Sequence, residues 1–146
     1  MRRLRQALSE ESGQSTISAM IMIPALLLIG GLVLVGGRLA LASGAVQSAA
    51  NEAARAASIS RTAPIAQGQA TSTAQSTLNN SGVKCSRTSV EPALGAFTLP
   101  VGQSGPITVT VTCVVPLADL ALPGIPGSKT MTATGTSVLD AYRGRS

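Results

Sequence analysis

The sequence predicts an α+β protein, a long N-terminal helix packed on a small antiparallel sheet, and three observations carry that reading. A charge-free apolar run follows a short charged leader, a one-sided helical stripe comes after it, and the C-terminal half alternates with a period of two. The segments divide as a basic leader (1–13), an apolar helix (14–37), its amphipathic continuation (38–60), a second helix or linker (61–82) and a sheet domain (83–146).

The apolar segment comes first. No charged residue lies between Ser12 and Gly37, and Ile17 to Val35 reads ISAMIMIPALLLIGGLVLV, apolar around the whole circumference of a helix. About 20 such residues cross roughly 30 Å of hydrocarbon. The rest of this chain is too small to cover such a helix, so a single membrane pass is the simplest reading. Pro24 is tolerated in a membrane helix, where neighbouring groups take up the freed carbonyl. Gly30, Gly31, Gly36 and Gly37 give no GxxxG spacing and read as ordinary glycine enrichment.

Orientation follows from the flanks. Arg2, Arg3 and Arg5 precede the run and Arg38 alone follows it, which keeps the N-terminus in the cytoplasm and puts the remainder outside. A cleaved secretory signal is the competing reading. Ala40, Leu41 and Ala42 loosely match its cleavage site and would leave a chain starting near Ser43.

After Arg38 the apolar positions Leu39, Ala42, Val46, Ala49, Ala50, Ala53 and Ala57 recur at helical steps, with Gln47, Glu52 and Arg55 off the stripe. One helix from about Gln14 to about Ser60 is expected, and Glu52 and Arg55 stand three apart, where a weak ion pair can form. A second helix is expected over Pro64 to Asn80. Ile65, Ala66, Ala70, Ala74 and Leu78 share a face, Pro64 suits a first turn, and the Asn79–Gly82 segment supplies a stop. The Gln, Thr, Ser and Ala composition equally suits a polar linker.

Beyond Gly82 the period changes. Ile107, Val109, Val111, Cys113 and Val115 alternate with threonines, as do Met131, Ala133, Gly135, Ser137 and Leu139. Val83 to Glu91 is a weaker third strand. Three or four strands are expected, with one face under the C-terminal half of the long helix. Cys85 and Cys113 each fall in a strand by this reading, and outside the cytoplasm two such cysteines are read as a disulfide, with two unpaired buried thiols as the alternative. A bridge of this span would add roughly 3–4 kcal/mol. Such help is needed, since Phe97 and Tyr142 are the only aromatic residues and small side chains bury little area. The loop from Leu117 to Gly127 carries Leu117, Leu120, Leu122 and Ile125, either as a contact surface or folded back on the core.

The chemistry-bearing residues argue against an enzyme and against a cofactor, metal or small-molecule substrate. There is no histidine, the outer carboxylates Glu52, Glu91, Asp119 and Asp140 form no pair, and no Gly-rich loop joins a strand to a helix. Eleven Lys or Arg against six Asp or Glu give a net charge of +5, but without a patch interleaved with aromatics nucleic acid is not the expected partner.

The order of these features resembles the TadE-like pseudopilins of tight-adherence (Flp-type) pilus assembly systems. The matching stretches are ESGQSTISA (11–19), IPALLL (23–28), AANEAARAA (49–57) and TATGTSVLDAYR (132–143). The resemblance implies a pilin-like fold and a single-pass protein of a bacterial cell membrane. Its implied partners are the membrane and other pilin-like or pilus-assembly membrane proteins. It also implies cutting by a prepilin peptidase after Gly13, with Gln14 as the new N-terminus. The family usually carries a glutamate five residues into the mature chain, to neutralise a neighbour's α-amino group in lipid. Ser18 stands there in this sequence, which points to a minor subunit or assembly factor. The alternative is a signal-anchored surface module for binding or adhesion, with no part in assembly.

Overall fold

A computed structural model describes the backbone of residues 2–100, 102–120 and 127–139, and side chains from Met20 onward within those ranges except 119–120. The chain divides into two compact units, Met1–Gly37 and Arg38–Ser146.

Helix α1 spans Arg2–Ser58, beginning upstream of the expected start near Gln14 because 2–13 is rich in helix-forming Arg, Gln, Leu, Ala and Glu. In the first unit it continues through Pro24, and its side chains from Met20 to Leu34 stand open, Leu28 at 76% exposure. In the second unit one face is closed: Ala42, Ala45, Val46, Ala49, Ala50, Ala53, Ala54 and Ala57 are buried. Leu39, expected on that stripe, is exposed. The helix end is satisfied locally. Ser58 Oγ donates to the Arg55 carbonyl at 2.8 Å, which also accepts the Ile59 amide at 3.3 Å, and Ser60 Oγ donates to the Ala56 carbonyl at 2.9 Å.

Helix α2 spans Ala63–Asn80, so the segment that composition left between helix and linker is helix. Pro64 sits in its first turn, and Ala66, Ala70, Ala74 and Leu78 are buried, whereas Ile65 is half exposed. Its stop is a left-handed Gly82 (φ 70°), which lets the Val83 amide return to the Leu78 carbonyl at 3.2 Å.

The sheet has three antiparallel strands in the order β1 (Arg87–Ala93), β2 (Pro106–Pro116), β3 (Ser128–Val138). The weak strand expected at Val83 to Glu91 is therefore displaced toward the C-terminus. The α2 cap takes up Gly82 and Val83, and ladder pairing begins at Arg87 opposite Val114. A short 3-10 helix, Gly95–Thr98, tucks Ala96 into the core between β1 and β2.

On the central strand Ile107, Val109, Val111, Cys113 and Val115 all face inward and are buried, as the alternation requires. They join the alanine faces of α1 and α2 in one core. The opposite face carries a threonine ladder, in which Thr108, Thr110 and Thr112 lie 3.5, 3.5 and 3.2 Å from Thr136, Thr134 and Thr132. Such cross-strand hydroxyl pairs stabilise a solvated sheet face modestly.

Candidate functional site: the apolar span, its flanks and the cystine

Among the described residues one helix is long and apolar enough to cross a membrane by length and composition, beginning at Met20. Gly13 and Gln14, the pair implied for processing, both lie inside α1, and the described side chains begin beyond them. Arg38 ends the charge-free run.

Cys85 and Cys113 are bonded to each other, with their Cα atoms 5.4 Å apart. Cys113 lies in β2 as expected. Cys85 does not lie in a strand: it sits two residues ahead of β1, for the capping reason given above. The bridge thus ties the link leaving α2 to the central strand. Beside it the Ser86 amide and hydroxyl both donate to the Val114 carbonyl, at 2.8 and 2.9 Å. Val83 to Ser86 is held at both ends.

Around this clip α1 docks on the sheet in a way that sequence reasoning did not find. A Cβ at Gly135 of β3 would overlap the Ala50 carbonyl and lie 2.6 Å from the Asn51 amide nitrogen, so helix and strand backbones touch there. Gln47 Nε2 donates to the Thr134 carbonyl at 3.0 Å, and Ser137 Oγ donates to Ser58 Oγ at 2.9 Å. The signal was present in principle, as a glycine on the inward face of an otherwise threonine-rich strand. Glu52, which can form a weak ion pair with Arg55 by spacing, is instead bonded between helices: Thr77 Oγ1 of α2 donates to Glu52 Oε2 at 2.5 Å.

Of the loop leucines, Leu117 folds back and packs against the core, and its amide donates to the Gly127 carbonyl at 3.0 Å. The side chains of Leu120, Leu122 and Ile125 lie outside the described residues. Among the described residues no three His, Cys, Asp or Glu side chains gather into a set that could hold a metal ion.

Taken together, these features define a small cystine-closed α+β domain continuous in sequence with an apolar helix. Comparison with known families is specific about the helical half. Residues 13–76 match the Tad family model, described as TadE/G-like and tied to Flp pilus assembly. The match takes in the apolar run, the NEAARAA stretch and most of α2. No curated protein and no solved structure matches the chain.

Proposed function

We propose that this chain is a minor pilin-like, membrane-anchored component (a pseudopilin) of a Flp-type pilus-assembly or secretion machine, with its N-terminus cytoplasmic and residues 38–146 outside. The observation that carries this reading is the Tad match over 13–76, which starts at the glycine where a prepilin peptidase would cut. In this role the protein acts by contact. Its apolar helix packs among other membrane helices, and the cystine-closed domain is presented to assembly partners. The open apolar side chains from Met20 to Leu34 supply a surface suited to lipid and to neighbouring helices. Ser18, in place of the usual glutamate, favours a minor position over a repeating filament subunit.

The test is the N-terminus of the protein recovered from its native membranes, by intact mass and N-terminal sequencing. A chain beginning at Gln14 is expected. An intact Met1 would refute processing and leave a permanent signal anchor. A chain beginning near Ser43 would refute membrane anchoring altogether.

A further inference from the structure

The second unit contains a cleft of about 760 Å³ where the start of its α1 segment faces the α2–β1 link. Arg38 and Lys84 contribute the two charges on its lining, Ser48 and Ser81 add hydroxyls, and Leu41 and Val115 give it apolar wall. No carboxylate lines it. Neither cation has a salt-bridge or hydrogen-bond partner among the described residues.

From this cleft we infer an anionic phospholipid headgroup site, in which Arg38 and Lys84 hold the phosphate and Leu41 lies along the first acyl carbons. The inference rests on the membrane-anchored reading above, because Arg38 is the residue at which the charge-free run of 12–37 ends and so meets the lipid–water boundary. Three observations support it. The charges are complementary to a phosphate and uncompensated by acid. The guanidinium presents paired donors suited to phosphate oxygens, while the ammonium acts as a point charge. Finally, Lys84 is not on a loose loop. The left-handed Gly82 cap precedes it, and the Cys85–Cys113 bond and the Ser86–Val114 pairing follow it. That wall is ordered before any ligand arrives, which lowers the entropic cost of binding.

The test uses the full chain in lipid nanodiscs of phosphatidylcholine containing phosphatidylglycerol. Native mass spectrometry reads which lipids stay bound. At low salt each basic residue at an anionic surface contributes about fivefold, so Arg38→Gln with Lys84→Gln should lower the phosphatidylglycerol preference about 25-fold. The same loss of charge placed away from the cleft, Arg55→Gln with Arg61→Gln, should leave it within about twofold. Arg38→Lys should keep most of it. An unchanged preference in the first pair, or an equal loss in the control pair, would overturn the site. Loss entirely from Arg38→Gln, with Lys84→Gln silent, would reduce it to a lone interfacial arginine and overturn it as well. Displacement of the lipid by millimolar glycerol 1-phosphate would assign the cleft to a soluble phosphate, and displacement by an acidic peptide to a protein partner; either refutes the lipid. Far-UV circular dichroism and resistance of both cysteines to alkylation check that each variant is folded. Alkaline carbonate extraction of native membranes tests the anchoring separately: a released chain would sink that reading, whereas headgroup choice by an embedded chain tests only the cleft.

Discussion

Substituting Gly135 by alanine adds one methyl group where the structure has no room for it. Gly135 is not among the left-handed glycines, so alanine can adopt its backbone conformation, and only space opposes the change. The obstacle is the Ala50 carbonyl with the Asn51 amide behind it, backbone atoms of a helix that cannot turn aside as a side chain would. Overpacking a core typically costs about 1–3 kcal/mol, and a backbone neighbour puts this site at the upper end. Restricting the unfolded chain returns about 0.4–1 kcal/mol. The net destabilisation is about 2 kcal/mol, roughly a thirtyfold fall in the folded-to-unfolded ratio and about 8 °C in the unfolding midpoint of a domain this size. The assay is thermal and denaturant unfolding of the full chain in detergent, followed by circular dichroism. Gly68→Ala is the control, because Gly68 is exposed in the middle of α2 with nothing within 4 Å of an added Cβ. It should gain about 1 kcal/mol. Ala50→Gly should fail to rescue Gly135→Ala, since the clash is with a carbonyl and not with a methyl group. A Gly135→Ala protein as stable as the parent would refute the close helix–strand approach, and rescue by Ala50→Gly would relocate it.

Reduction of the Cys85–Cys113 bond, or Cys85→Ala with Cys113→Ala, should cost about 3.5 kcal/mol from a sequence separation of 28 in the chain-entropy model, read as the difference between unfolding curves with and without a phosphine reductant. Ala53→Leu and Ala70→Leu each force a large side chain into a fully buried position and should each lose about 1–3 kcal/mol in the same unfolding assay. Thr77→Val with Glu52→Gln, run as a double-mutant cycle, should show a coupling of about 0.5–1 kcal/mol between α2 and α1; additive effects would mean that the bond contributes nothing.

The central strand was the most legible element, because Ile107 to Val115 alternates without a break and its bounds in the structure run only one residue further at each end. The α1 and α2 faces were legible for the same reason, apart from Leu39 and Ile65, which sit at the rims of their stripes where period alone cannot tell edge from core. The misplacement of β1 has a local cause: a helix stop and a strand start compete for Gly82 to Ser86, and the cap takes the first two residues. Cys85 was paired correctly but assigned to the wrong kind of element for that reason. What could not be read was which pieces meet. Gly135 against Ala50, Gln47 on the β3 carbonyl and Thr77 on Glu52 join segments 25 to 87 residues apart, and no periodicity encodes such a distance. The Arg38–Lys84 cleft was hidden likewise, since each residue alone reads as a solvated charge.

The domain replaces bulk by proximity. With alanine as the repeating buried residue of both helices, each position removes little area from water, but at Gly135 the backbones of strand and helix meet. A core of this kind leaves little margin, and the cystine supplies part of what large side chains would otherwise give. That dependence bears on the proposed topology. A bond that persists only in an oxidising compartment supports residues 38–146 lying outside the cytoplasm. The three N-terminal arginines support the same orientation through the bias of charge across the membrane. The two supports share no residues and rest on unrelated physics, one on redox potential and the other on charge translocation. A protein that held Cys85 and Cys113 reduced in its native membrane would set them against each other, and the orientation would then rest on the arginines alone.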